Sequence, residues 1–166
     1  MKKRLLSAAL ALVLAAACLA GCGAASEEKT VAKALGLEKL PAVTHISSYD
    51  SHGGFHGDGV SCIALTFEDD QLEQQLAADP AWHSLPADET VQALVWGVED
   101  GTVSTGPYLT DSDGQPLVPP VETGCYRLID RHSDQQGDIL SRGSFNFTVG
   151  VYDAEARVLY CCELDT

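Results

Sequence analysis

The chain has 166 residues, of which 45% are hydrophobic, and its formal net charge is −14. Such a charge excludes the basic footprint that nucleic-acid binding needs, and it disfavours acidic partners, whereas cations and basic surfaces are favoured. The length suits a single domain with a hydrophobic core of its own.

The first residues are organised like a secretory signal. A basic KKR at positions 2–4 precedes an apolar stretch that is too short and wrongly flanked for a transmembrane helix. The LAGC at positions 19–22 resembles the lipobox of bacterial lipoproteins, in which the cysteine receives a thioether-linked diacylglycerol. The resemblance predicts removal of residues 1–21, a lipid on Cys22 and a protein held on the extracytoplasmic face of the cell membrane. The alternative is an ordinary secretory signal with a chance cysteine.

Processing at this position would change both the charge and the domain boundaries. Because residues 1–21 carry three basic and no acidic side chains, their loss would lower the formal charge from −14 to −17. Residues 22–28 would then be the lipidated cysteine and a polar tether, and residues 29–166 a single domain.

Four cysteines remain in the predicted domain, at positions 62, 125, 161 and 162. Cys161 and Cys162 are neighbours on a predicted strand, so their side chains point to opposite faces of a sheet. At most one of them should face Cys62 or Cys125 directly, which favours buried thiols or one disulfide. The spacing is not that of a structural zinc site.

The elements alternate between helix and strand signals along the chain. The first helix is expected within residues 29–40 with Gly36 as its stop, and strands at 42–49 and 60–67 form a hairpin around a glycine-rich connection. A capping box of Asp70 and Glu73 predicts a second helix.

A third helix is expected between Asp88 as its cap and Gly97 at its end. Strands at 124–132, 144–153 and 157–166 complete an antiparallel meander, and the second of them places Phe145, Phe147, Val149 and Val151 on one face. The sequence therefore predicts an α+β fold, an antiparallel sheet made of the N-terminal hairpin and the C-terminal meander, with two or three short helices packed on it.

The hairpin connection, DSHGGFHGDG at positions 50–59, is the strongest candidate site. Its ligand-binding candidates are Asp50, His52, Phe55, His56 and Asp58. The composition favours a structural turn over either kind of site, because its glycines suit positive-φ positions and its polar side chains can cap backbone amides.

A metal site is a further interpretation of the same connection. Imidazole and carboxylate ligands on a glycine-rich loop can converge on zinc or a similar divalent ion, and a histidine from the meander could add a third nitrogen. The proposed metal ligands are His52, His56, Asp58 and His132.

The glycine-histidine motif, together with the later ALTF, WG, DRH, SFNFT and YD segments, resembles a group of uncharacterised small proteins and lipoproteins from Gram-positive bacteria. The resemblance covers roughly residues 30–166 and implies an intact family domain that faces outward from a single-membrane cell. It implies no activity and no catalytic residue.

Two functions therefore follow from the sequence. The first is a lipid-anchored, non-enzymatic binding or interaction domain for a protein or a small molecule. The alternative is a metal-binding protein or a metal-dependent hydrolase that uses His52, His56 and Asp58. The sequence contains no nucleophile elbow, phosphate-binding loop or dinucleotide-binding fingerprint.

Overall fold

A computed structural model of the chain describes residues 27–53 and 57–166. This part of the chain forms an antiparallel sheet of six strands, a separate two-stranded sheet and three α-helices. The predicted α+β class, with helices on an antiparallel sheet, is therefore confirmed.

Helix α1 is present over residues 27–34, α2 spans Gln71–Ala78 and α3 spans Glu89–Val95. The strands are β1 Val43–Asp50, β2 Gly59–Phe67, β3 His83–Ser84, β4 Val98–Asp100, β5 Val103–Thr105, β6 Gly124–Asp130, β7 Asn146–Asp153 and β8 Val158–Asp165. A short 3₁₀ helix occupies Ile139–Ser141.

The large sheet has the strand order β1-β2-β8-β7-β6-β3, and the small sheet pairs β4 with β5. The predicted hairpin is present as β1 and β2, and the predicted meander is present as β6, β7 and β8. Pairing of β2 with β8 joins these two units, so the C-terminal strand lies inside the sheet.

The two faces of the sheet carry separate cores. We call first face the side that carries Phe147, Val149 and Val151, and second face the side that carries Thr148 and Gly150. Helix α3 and the segment that follows it pack on the first face, whereas α1 and α2 pack on the second. The predicted alternation along β7 is confirmed, because Phe147, Val149 and Val151 all belong to the first-face core, with the half-buried Phe145 packed against it.

The four cysteines within the described residues form one disulfide and two free thiols. Cys62 and Cys162 are register partners on β2 and β8 and are bonded on the first face. Cys161 is buried on the second face and Cys125 is half-buried. Burial raises the pKa of both free thiols to about 12.

Three of the four predicted helix ends are confirmed. The Asp88 carboxylate accepts the Val91 N–H at the start of α3, and Gly97 after its end has φ +83°. Gly36 follows α1 with φ +64°.

The predicted capping box of α2 is wrong. The side chain of Asp70 makes no capping hydrogen bond. The preceding residue, Asp69, accepts the Gln71 N–H at 3.0 Å instead and holds its side-chain amide at 2.7 Å. A short Asp side chain readily bonds the backbone two residues ahead, and this local turn replaces the box.

Helix α1 lies along one cross-strand row of the second face. That row runs from Ser48 on β1 to Arg127 on β6. Ser48 donates to the Glu27 carboxylate at 3.0 Å, and Arg127 donates to the carbonyl of Leu35 at 3.0 Å. Gly150 lies in the same row, and a Cβ there would meet Leu35 at 2.8 Å, so glycine permits the close approach. The next cross-strand row, toward the ends of β1 and β8, therefore lies beside α1.

Candidate functional site

One end of the large sheet gathers most of the predicted site residues. Because all neighbouring strands are antiparallel, the last residues of β1, β8 and β6 meet the first residues of β2 and β7 at this end. The glycine-rich connection and the DRH segment thus lie at the same end of the sheet.

His52 is held between two carboxylates. Asp50 accepts the backbone N–H of His52 at 2.8 Å and lies 2.7 Å from its ring Nδ1. The other ring nitrogen, Nε2, is 3.6 Å from Oδ2 of Asp165 at the end of β8. The backbone bond, followed by the ring bond, lowers the pKa of Asp50. A Cβ at Gly59 would come within 2.7 Å of His52 Cα, so this approach of the two strand ends requires glycine.

The other predicted residues of the connection are placed differently. Asp58 is exposed to solvent, and Phe55 and His56 lie outside the described residues. The ring of His132 is 2.9 Å from the carbonyl oxygen of Asp134 and 3.1 Å from the hydroxyl of Ser144, so it holds the β6–β7 connection. Within residues 27–53 and 57–166, no group of three or more His, Cys, Asp or Glu side chains is arranged to hold a metal ion.

The structure reveals a polar row beside α1 that the sequence interpretation did not identify. Asp50, Ser61, Glu163 and Thr148 are successive register partners on β1, β2, β8 and β7, so they share the second face. Thr148 is fully buried, and its hydroxyl donates to Oε1 of Glu163 at 2.9 Å. A buried hydroxyl is costly unless it is hydrogen-bonded, and this bond satisfies it.

Arg131, which follows β6, lies next to Glu163 of the polar row. Its Nη2 is 3.1 Å from Oδ1 of Asp165 and 3.9 Å from Oε1 of Glu163. The same nitrogen donates to the carbonyl of Phe147 at 3.2 Å. The guanidinium is therefore oriented by one of its nitrogens.

Helix α1, Arg131 and two residues of the polar row line an open cavity of about 520 Å³, which we call the helix–sheet cavity. Thr30, Lys33 and Ala34 line it from the helix, and Arg131, Thr148 and Glu163 line it from the sheet. This volume lies within the range of small-molecule sites. Five of its six lining residues carry a charged or hydroxyl side chain, which distinguishes it from the mainly apolar sites that bind drug-sized ligands.

One signal for this site is present in the sequence. Along β7 the residues that alternate with the buried apolar ones are Asn146, Thr148 and Gly150, a polar set that is typical of a solvated face. Helix α1 covers this face, and Thr148 is buried there. The charged residues of the cavity come from other segments and carry no motif.

No family model, no curated protein and no solved structure matches the chain. The resemblance to Gram-positive lipoproteins stays a prediction. None of the helices in the described ranges has the length and apolar character required to cross a bilayer.

Proposed function

We propose that this protein is a non-enzymatic binding domain, held on the extracytoplasmic face of the cell membrane by a lipid on Cys22. We further propose that it binds a small polar molecule in the helix–sheet cavity. The observation that carries the proposal is the lining of that cavity, where cationic, anionic and hydroxyl side chains converge beside a buried core.

The cavity groups are pre-oriented, which favours binding. Glu163 is fixed by Thr148, and Arg131 is fixed by Asp165 and by a backbone carbonyl. Groups that are already ordered lose little conformational entropy when a ligand arrives. The same contacts define the positions of the charges that a ligand would meet.

The lipid anchor is tested by replacing the acceptor cysteine. We expect Cys22→Ser to abolish labelling with radioactive palmitate and to release the protein from the membrane fraction. Cys18→Ser is the matched control, because it removes a cysteine from the predicted signal and leaves the lipobox intact. Labelling of the Cys22→Ser protein at the wild-type level would contradict the anchor.

The cavity is tested by filling it. The detergent-solubilised protein is dialysed against a defined mixture of amino acids, short peptides, sugars and organic acids, and retained molecules are identified by mass spectrometry. We expect the wild type to retain a polar component that Thr30→Trp does not retain. Lys29→Trp adds the same side chain to α1 outside the cavity lining and should behave as the wild type does. Retention of nothing, or equal retention by Thr30→Trp, rules out this binding site.

A zinc site is the second candidate, and the position of His52 favours it. The 3.6 Å between Nε2 of His52 and Oδ2 of Asp165 suits two ligands of one ion at about 2.0–2.2 Å each. Asp50 bonds the other ring nitrogen, as carboxylates do behind metal-bound histidines. Further ligands would come from the connection that carries His56 and Asp58.

Elemental analysis of protein purified without chelator or affinity tag tests this candidate. The expected result is stoichiometric zinc that disappears in a His52→Ala/Asp165→Asn variant and persists in His83→Ala, a substitution of an exposed histidine on β3. Wild-type protein that holds no zinc after incubation with the ion and desalting would exclude the site.

A further inference from the structure

The helix–sheet cavity presents both signs of charge to the same space. Lys33 and Arg131 supply two cations from opposite walls, and Glu163 supplies an anion from the sheet floor. Asp165 adds a second anion beside Arg131. The chain as a whole has a formal charge of −14, so a cavity lined by one lysine and one arginine departs from its acidic character.

The cations retain capacity for a ligand carboxylate. Arg131 makes its contacts with Asp165, Glu163 and the Phe147 carbonyl through Nη2 alone. The guanidinium has five N–H donors, so its Nε and Nη1 hydrogens can still serve a ligand. A carboxylate is the acceptor that a guanidinium binds best, often through two parallel bonds. Lys33 is exposed and forms no ion pair with the described part of the chain.

The anion retains capacity for a ligand ammonium group. Both contacts of Glu163, with the Thr148 hydroxyl and with Arg131, use Oε1. The second carboxylate oxygen can therefore accept from a ligand. The Thr148 bond holds the carboxylate against the sheet, so the group does not need to be ordered on binding.

A ligand with one sign of charge meets both attraction and repulsion here. A simple carboxylate is attracted by Lys33 and Arg131 and repelled by Glu163. An amine without a carboxylate is attracted by Glu163 and repelled by Lys33 and Arg131. Like charges held together in a partly desolvated site oppose binding. A molecule with separated positive and negative groups can complement the whole lining.

We infer that the helix–sheet cavity binds a zwitterion, namely a free amino acid or a very short peptide whose amino and carboxyl ends are both unblocked. The inference rests on the proposed function and names its ligand class. The carboxylate binds Lys33 and the unused edge of Arg131, and the ammonium group binds Glu163.

The first test compares charge forms of one molecule. The detergent-solubilised full chain is titrated calorimetrically with each proteinogenic amino acid and with unblocked alanyl-alanine. The tightest binder is then compared with its N-acetyl derivative, which lacks the cation, and with its carboxamide, which lacks the anion. We expect each blocked form to bind at least about tenfold more weakly, the equivalent of about 1.4 kcal/mol. The amino-acid and dipeptide arms distinguish the two sources of the zwitterion.

The second test removes one charge of the cavity at a time and measures how the affinities for the zwitterion and its two blocked forms change. Glu163→Gln keeps an acceptor for Thr148 and removes the anion. We expect it to weaken the zwitterion about tenfold and to strengthen the N-acetyl form, because repulsion is lost. Lys33→Gln should weaken the zwitterion and strengthen the carboxamide form. Glu38→Gln and Lys39→Gln make the same two charge changes at exposed positions outside the cavity and should leave all three affinities unchanged.

The outcomes separate the inference from the proposed function. Retention of a sugar or organic acid, with no amino acid or dipeptide bound, would overturn the zwitterion and leave a binding cavity in place. Blocked forms that bind as tightly as the zwitterion would overturn it as well. Absence of any bound component would remove both. Thermal unfolding of each variant identifies a change in affinity that comes from lost folding.

Discussion

The two faces of the large sheet differ in what lies on them. On the first face, α3 and its following segment bury a continuous apolar core that includes the disulfide. On the second face, α1 and α2 bury an apolar core, and the row beyond α1 is polar. Phe147 and Thr148 are adjacent in the chain, both fully buried, and lie on opposite faces. Burial of apolar side chains stabilises a fold, whereas a buried polar row contributes little net stability. The polar row is therefore the better candidate for function.

The largest effect expected from this comparison is at Phe147. Phe147→Ala should lower the free energy of unfolding by about 3–5 kcal/mol, because it removes a fully buried ring and leaves a cavity. Urea unfolding measures the loss. Val103→Ala, at a residue that is 63% exposed, is the control and should change stability by less than about 0.5 kcal/mol. Equal losses in the two variants would mean that burial of Phe147 on the first face does not contribute to stability.

The disulfide on the first face should have the next largest effect. It joins Cys62 and Cys162 across a sequence separation of 100, so it restricts the unfolded chain strongly. A Cys62→Ala/Cys162→Ala variant should lose about 2–5 kcal/mol of unfolding free energy.

Chemical reduction provides an independent measurement of the same bond. Reductant should lower the thermal midpoint of the wild type and leave that of the double variant unchanged. Cys125→Ala keeps the bridge and should retain the response to reductant. A wild-type midpoint that reductant does not alter would contradict a structural bridge.

A substitution of Thr148 tests the polar row of the second face, and we expect a smaller effect on stability than on the first face. Thr148→Val keeps the shape and removes the donor to Glu163, so we expect a loss of about 1–2 kcal/mol together with weaker ligand binding. Thr148→Ser keeps the hydroxyl and should preserve ligand affinity better than Thr148→Val does. A valine variant that is as stable as the wild type and binds equally well would show that the hydroxyl only fills space.

The sequence predicted the three helices and five of the six strands of the large sheet, but not β3 and not the polar row. The period-two pattern around Phe147 and the cap at Asp88 act within a few residues, so they can be recognised locally. The row depends on the pairing of β2 with β8, which brings Ser61 next to Glu163 from far along the chain. Long-range register of this kind has no local signature. In the DRH segment, the histidine attracted the metal hypothesis, whereas the neighbouring Arg131 lines the cavity.

The smallest expected effect is the change in unfolding free energy at acid pH that comes from carboxylates at the end of the sheet where β1, β6 and β8 finish. Burial raises the pKa of Asp130, but the Arg142 hydrogen bond at 2.7 Å and the His132 N–H outweigh burial and lower it overall. The pKa of Asp50 is lowered as well. A lowered folded-state pKa stabilises the fold above the ordinary value of 3.8, and this contribution is lost as pH falls through the folded-state value.

The unfolding free energy should therefore fall with decreasing pH below about 4, and part of this slope should disappear in Asp130→Asn. The contribution is limited to about 1 kcal/mol, because solvent screens a carboxylate that is 25% exposed. Asp100→Asn, an exposed substitution in the small sheet, is the control and should keep the wild-type slope. An Asp130→Asn slope equal to that of the control would mean that the Arg142 pair contributes no pH-dependent stability.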